Sequence, residues 1–287
     1  MSRTFAGIPS EFATFENSKT VLLPVAYDGT STWGKGADKG PEAFLHAAEN
    51  MELYDIESAS EPFRNGIHLL PLVGGFASPE KMIEKIYVEA TKYMAIGKLF
   101  SMVGGEHSVS IGALRAANDL YENLTVLQLD AHSDLRPEYD GSTCNHACAM
   151  HEASKKSKLI QVGIRSMDIV EVPFLKKENV FFANDIRKKK DWIDQVCSKL
   201  TDNTYITIDL DVFDPSVLPS TGTPEPGGMI YYEVLDLLEK VISKTKIIGF
   251  DIVELCPNAI DKSSDFLAAK LYYKILSYIF KKHTHDK

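Results

Sequence analysis

The sequence predicts an α/β protein: one domain in which a largely parallel β-sheet carries helices on both faces. Three observations predict it. Short apolar runs rich in β-branched residues alternate with longer segments of helical spacing, the order that strand–helix–strand units produce. Several runs are apolar without alternation, as strands buried on both faces are. No Pro/Gly/Ser-rich linker, internal repeat or low-complexity segment divides the 287 residues, a length that one large domain accommodates.

Taken in order, residues 21–26 (VLLPVA) are an unbroken apolar run and read as a strand. Gly40-Pro41 then places a proline where a helix should start, because the first turn does not need its missing N–H. Residues 79–96 space their apolar side chains for a helix, 98–103 form the next strand, and 108–120 the next helix. Residues 125–130 (TVLQLD) and 158–163 (KLIQVG) read as strands, 191–200 as a helix, 204–211 (TYITIDLD) as a strand and 231–243 as a helix. Residues 246–251 (KIIGFD) are the last strand and 264–281 the last helix. The polar tail 281–287 is expected to fray, with His283 and His285 solvated.

Composition narrows the class. Apolar residues make up 44%, enough for a well-buried core. Thirty-one Lys and Arg against forty Asp and Glu give a formal charge of −9, which argues against nucleic acid as a partner. The acidity is compatible with a cationic substrate, but solubility alone is the weightier explanation. Cys144, Cys148, Cys197 and Cys256 are too few for a disulfide scaffold and read as free thiols of a reducing compartment. Glu11 and Glu16 stand where a leader would be apolar, and no run approaches the ~20 residues that span a bilayer. A cytoplasmic protein without a membrane partner is expected.

Sheets of this class bind ligands beyond the carboxyl ends of their strands. There the chain turns chemically specific. The run ending at Leu129 passes into Asp130-Ala131-His132-Ser133-Asp134, with a metal-capable side chain at every second position. In an extended chain alternate residues point the same way, so the three converge. Asp209 and Asp211 end another run in the same spacing, and His107 follows a third through Gly104-Gly105-Glu106. Singly, each has a plainer explanation: Asp after a strand caps helices and turns, and a lone histidine is usually structural. Together, four ionised carboxylates at one sheet edge would repel strongly. Two divalent cations balance that charge. The donors are oxygen and imidazole without thiolate, which suits Mn²⁺, although Zn²⁺, Co²⁺ and Ni²⁺ remain open. Six ligands exceed one tetrahedral site, so two ions about 3.5–4 Å apart are expected.

Five stretches carry a resemblance to the ureohydrolase family of arginase and agmatinase: GGEHS at 104–108, DAHSD at 130–134, DLDVFDP at 209–215, TGTPEPGG at 221–228 and GFDIVE at 249–254. They stand in the family's order over about half the chain. The resemblance implies a single three-layer α/β domain, a mainly parallel sheet and two Mn²⁺ per subunit. It implies that His107, Asp130, Asp134 and Asp209 bind one ion, and that Asp130, His132, Asp209 and Asp211 bind the other. A metal-bridging hydroxide, hydrogen-bonded to Asp134, would attack the guanidinium carbon. His146, in Cys144-Asn145-His146-Ala147-Cys148, falls at the proton-shuttle position, and Glu254 at the guanidinium-binding carboxylate. Trimers or hexamers are the family's usual assemblies.

The stretch 135–146 lacks the Asn and Ser pattern with which arginases read an α-carboxylate. Agmatine, giving putrescine and urea, is therefore the leading substrate. Guanidinobutyrate, aminopropylagmatine, arginine, formiminoglutamate and free guanidine stay open. The presence of His146 and Glu254 disfavours a non-catalytic, metal-binding regulatory homologue, and the doubled Asp pattern disfavours a one-metal deacetylase. Trp33 and Lys35 belong to the entrance or to a subunit contact. Glu138 and Asp140 read as solvated loop carboxylates or as partners of a charged substrate tail. Cys144 and Cys148 read as packing residues.

Overall fold

Burial on both faces is what the apolar runs require, and the fold supplies it. The structure, a computed structural model, describes residues 3–285, the side chains of 282–285 excepted. In chain order its elements are β1 (Thr20–Ala26), α1 (Gly40–Ala48), β2 (Ile67–Leu69), β3 (Val73–Gly74), α2 (Pro79–Ala95), β4 (Leu99–Val103), α3 (Ser110–Leu120), β5 (Leu124–Leu129) and α4 (Ala153–Lys156). There follow β6 (Lys158–Ile164), β7 (Val180–Phe182), α5 (Ala183–Ile186), α6 (Trp192–Cys197), β8 (Asn203–Asp209), α7 (Tyr231–Lys244), β9 (Lys246–Val253) and α8 (Ser263–His285). The strands form one sheet in the order β2-β1-β4-β9-β8-β5-β6-β7, with β3 also beside β1, and every pairing is parallel.

Strand β5 is buried at all six positions, and β8 and β9 at all but their first. Their side chains divide between two cores. Leu127, Ile206 and Phe250 meet Phe44 of α1, Leu235 of α7 and Leu271 of α8 on one face. Val126, Tyr205 and Ile248 meet Ile86 of α2 and Leu114 of α3 on the other. The result is the expected single three-layer domain. Among the described residues no helix is long and apolar enough to cross a membrane.

All six predicted strands and all six predicted helices form, most within two residues of their expected ends. The larger differences have local causes. The expected strand 204–211 stops at Asp209, whose side chain accepts the Asp211 N–H at 2.9 Å and starts a 3-10 turn, Leu210–Val212. The expected helix 108–120 is preceded by a 3-10 turn, His107–Val109, capped by Glu106. The expected helix 191–200 shortens to Trp192–Cys197. Strands β2, β3 and β7 have two or three residues each, too short for any periodicity to show. Helix α8 runs on to His285, into the segment expected to fray. Residues 286 and 287, and the side chains of His283 and His285, lie outside the described residues.

The strand order positions the site. The chain leaves β4, crosses to β5, and later fills the gap with β8 and β9, so four adjacent central strands end side by side. Such a reversal opens a crevice at the strands' carboxyl ends. At the β4 exit, Gly105 passes so close to β1 that a Cβ there would lie 1.7 Å from the Tyr27 carbonyl oxygen. That approach lets the Glu106 N–H bond Tyr27 at 3.0 Å, while the Gly105 carbonyl accepts the Glu254 N–H at 2.8 Å. Gly105→Ala must push β1 and β4 apart. We expect it to lower the unfolding free energy by about 3 kcal/mol, the upper end for overpacking, as read by urea denaturation. A variant with wild-type stability would show that the approach is not obligatory.

Candidate metal centre

Asp130 follows the last residue of β5 and is fully buried. Its carboxylate is oriented locally: Oδ1 accepts the His132 N–H at 2.6 Å, and Oδ2 accepts from the Gln128 amide at 2.7 Å. Gln128 is itself fixed by Gln161 of β6, at 2.7 Å. Beyond Asp130 the chain is not an extended strand. Asp134 takes a left-handed backbone, φ 51°. His132 still pairs with Ser166 in a parallel bridge, so in this segment the expected two-residue alternation fails only at Asp134, where the backbone turns left-handed. It fails again between Asp209 and Asp211, which straddle the start of a 3-10 turn. The Asp211 carboxylate reaches across to β5 and accepts the Ala131 N–H at 3.0 Å.

Two clusters result, each with its ligand atoms within 4.8 Å of one another, and both share Asp130. One is His107, Asp130 and Asp134; the other is Asp130, His132 and Asp211. His107 Nδ1 lies 3.1 Å from Asp130 Oδ2, 3.0 Å from Asp134 Oδ2 and 3.3 Å from Asp209 Oδ2. His132 Nδ1 lies 2.8 Å from Asp211 Oδ2 and 3.7 Å from Asp130 Oδ1. All six predicted ligands thus meet at one place.

A hydrogen-bond chain behind His107 decides which of its nitrogens faces the carboxylates. Tyr205 and Thr207 both donate to Asp251, at 2.8 and 2.6 Å. With its proton committed, the Thr207 hydroxyl can only accept from His107 Nε2, 2.9 Å away. Nδ1 is the one turned toward them. It is buried and meets no partner in hydrogen-bonding geometry. An unpartnered buried nitrogen aimed at three carboxylates is costly unless a proton or a cation lies between them, and a second nitrogen held by an outer hydrogen bond is how ligating histidines are oriented. The oxygen and imidazole donors fit divalent ions such as Mn²⁺.

Burial opposes protonation of His107, but Asp130, Asp134 and Asp209 raise it well above the ordinary imidazole value, so without a cation the ring carries a proton toward them. Burial, with Asp211 and Asp134 nearby, lifts the Asp130 carboxyl to about 7. Burial, Asp211 and Asp130 raise Asp209 well above the carboxylate range. Burial opposes ionisation of Asp211, but His132 holds it down to about 2, and Asp211 in turn pushes His132 up to about 11 against burial. Without cations, then, the cluster keeps protons that divalent ions would displace.

A cavity of about 250 Å³ opens above this floor. His107, His132, Asp134, Asp209, His146 and Glu254 line it, together with Arg136 and Tyr139; Asp130 and Asp211 lie buried beneath. Glu254 has φ 66°, and its Oε1 accepts the His107 N–H at 2.8 Å. His146 is half-buried, and its Nδ1 lies 3.2 Å from the Thr30 hydroxyl. Glu138 and Asp140 are exposed and do not line the cavity. Trp33 is 82% exposed, and Lys35 pairs with Asp28 at 3.5 Å. Cys144 and Cys148 are buried free thiols. The sequence reading missed the supporting residues Gln128, Thr207 and Asp251. Their signal was present: each is polar inside an otherwise apolar central strand, and a buried polar group there must have a partner.

Comparison with known proteins agrees with this geometry. Residues 18–277 match the arginase family. The chain is 37% identical over 267 residues to an N(1)-aminopropylagmatine ureohydrolase of Thermus thermophilus, spanning 91% of this chain and 90% of that protein. It is 31% identical over 287 residues to an agmatinase of Pyrococcus horikoshii, spanning 95% and 97%. The crystal structure of an agmatine ureohydrolase of Thermoplasma volcanium superposes with a TM-score of 0.89 at 29% identity, covering 100% of this chain and 98% of that one.

A pH-dependent stability follows. Asp130 carries a raised value of about 7, and His132 one of about 11. Between pH 5 and 9 the metal-free folded state therefore holds more protons than the unfolded chain, and its stability falls as pH rises. Cation binding has the opposite trend, since it displaces those protons. The gain in melting temperature on adding Mn²⁺ should grow from pH 6 to pH 8.5. Calorimetry with and without the ion measures this, and a gain independent of pH would contradict the cluster.

Proposed function

Because the chain belongs to the arginase family of ureohydrolases, we propose that it hydrolyses agmatine to putrescine and urea. His107, Asp130, Asp134 and Asp209 would hold one divalent cation, and Asp130, His132, Asp209 and Asp211 a second. Bound there, two such ions lower the pKa of a water toward neutrality and so supply a nucleophile. The reading includes assembly into trimers or hexamers and, from the four free cysteines, a cytoplasmic location.

The observation that carries the reading is the bond from the His107 N–H to Glu254. It sets a carboxylate beside the ligand cluster, in the cavity wall, with one oxygen occupied and the other available to a guanidinium N–H. A guanidinium is a poor electrophile, always charged near neutrality. Pairing it with Glu254 holds its carbon above the cluster and turns an encounter into a positioned attack. Asp134 and His146 line the same cavity. The leaving amine departs only with a proton, which His146 would deliver as general acid, with Asp134 stabilising charge on the attacked carbon's substituents.

The cavity wall argues for a substrate without a carboxylate. Among the described residues lining it, Arg136 is the only lysine or arginine. Its guanidinium is already engaged, 3.2 Å from Asp168 and stacked at 4.2 Å over the Tyr139 ring. Arginine, guanidinobutyrate or formiminoglutamate would bring an anion with no free cationic partner among those lining residues, which is expensive to bury. Aminopropylagmatine is the second reading, favoured by the names of the more similar relatives.

Urea release over a panel of guanidino compounds tests this. Agmatine or aminopropylagmatine should exceed arginine in kcat/KM by about 100-fold or more. Efficient arginine turnover, or urea from none of them, would overturn the substrate assignment. Glu254→Gln should keep its metal by elemental analysis yet lose at least about 100-fold in kcat/KM. Unchanged kinetics would remove Glu254 from the chemistry.

A further inference from the structure

One hydroxyl meets His146 twice. Thr30 Oγ accepts the His146 backbone N–H at 3.0 Å and lies 3.2 Å from its ring Nδ1. The same oxygen donates to Glu106 Oε1 at 2.8 Å. Thr30 belongs to the loop after β1, His146 to the loop after β5, and Glu106 to the loop after β4, so this contact ties together three segments remote in sequence.

Proton counting fixes the direction of the bonds. Glu106 Oε1 accepts from the Thr30 N–H at 3.3 Å and the Ser108 hydroxyl at 2.9 Å as well as from the Thr30 hydroxyl, while Oε2 accepts the Ser108 N–H at 2.8 Å. With three donors converging on it, Oε1 has no room for a proton of its own. The Thr30 hydroxyl has one proton and two candidate acceptors, and the carboxylate is both the nearer and the stronger. Thr30 Oγ therefore faces His146 as an acceptor only, and Nδ1 must be the ring's donor. Nε2 is then the bare nitrogen. The Tyr139 ring, edge-on at 89° and 6.2 Å between centroids, supports the imidazole from another side.

We propose that Thr30, backed by the buried Glu106, is a positioning residue that holds His146 in its Nδ1–H tautomer, so that Nε2 is the nitrogen that takes up and returns the proton. The inference deepens the function proposed above and rests on His146 acting as general acid there. The logic is that of a carboxylate orienting an imidazole, with a hydroxyl interposed. When Nε2 gains a proton, the positive charge is felt through Nδ1–H and Thr30 by the Glu106 carboxylate. Neither Thr30 nor Glu106 touches the reacting atoms.

Two measurements test it, and the first needs no substrate. Protein labelled with nitrogen-15 at histidine and loaded with diamagnetic Zn²⁺ reports ring tautomers by long-range proton–nitrogen correlation, with His146→Asn identifying the signal. Wild-type protein and Thr30→Ser should show His146 protonated at Nδ1; Thr30→Val, which keeps the shape but not the hydroxyl, should release it. The second is a double-mutant cycle on agmatine turnover. Thr30→Val should lower kcat by about 10- to 100-fold, within the range of general acid catalysis, with little change in KM. Thr30→Ser should recover most of the loss, and in the His146→Asn background Thr30→Val should cost nothing more. An Nε2-protonated wild-type ring, a tautomer indifferent to Thr30→Val, or an equal loss in both backgrounds would overturn the proposal. Should the wild type turn over no guanidino compound, the function proposed above fails, and the tautomer measurement still decides this one.

Discussion

Four carboxylates buried at the end of one sheet repel each other, and the rest of the structure answers that repulsion. Two unit charges 4 Å apart interact by about 4 kcal/mol at an effective dielectric constant near 20. A few such pairs rival the whole stability of a domain, roughly 5–15 kcal/mol. Part of the answer is built from neutral donors. Asp130 accepts from Gln128 and the His132 N–H, Asp211 from the Ala131 N–H, and Asp209 from the Asp211 N–H. These bonds orient the carboxylates but leave their charge uncompensated. The remainder falls to the two histidines or to cations, and His107 Nδ1, aimed at three aspartates, marks where a cation would take over from the ring's proton.

The fold was legible in the sequence wherever burial was complete. Strands β1, β4, β5, β6, β8 and β9 are buried along nearly their whole length, and several were recognised as runs without alternation. The edge strands β2, β3 and β7 are short and half-exposed, and nothing in two or three residues separates them from loop. The six clustered side chains were legible as residue types at strand ends, although the route to their convergence was not. Spacing suggested an extended chain, while the structure uses turns at Asp134 and Asp209. Local spacing cannot report a left-handed residue, because that conformation is imposed by contacts from other strands. Thr30, Gln128 and Thr207 stood outside every motif, and Asp251, inside GFDIVE, had no role assigned there. Apart from the Asp130 and His132 contacts of Gln128, their partners lie dozens of residues away, and the strand order brings them together.

Two strained residues lie where function is proposed. Six non-glycine residues among those described have positive φ, and Asp134 and Glu254 are two of them. For glutamate this conformation is uncommon, and it persists only where surroundings over-determine it. At Glu254 they do: its N–H is held by the Gly105 carbonyl and its Oε1 by the His107 N–H. A relaxed backbone would swing the carboxylate away from His107. The close passage of Gly105 past Tyr27 serves the same end, since it places the carbonyl that holds Glu254.

The segment from Gly105 to Ser108 therefore does more than supply one ligand. Gly105 fixes the backbone of Glu254, and His107 fixes its carboxylate while presenting Nδ1 to the aspartates. Glu106, between them, holds Thr30 and through it His146. Ser108 closes the segment by donating twice to Glu106. The proposed metal binding, guanidinium placement and proton delivery would thus all be anchored to four consecutive residues. The three functions must be in register to within a fraction of an ångström, and one short rigid turn transmits fewer errors than three independent loops. A displacement of β4 relative to β1 would consequently disturb all three at once, whereas a change in the exposed loop at Glu138 and Asp140 would leave them untouched.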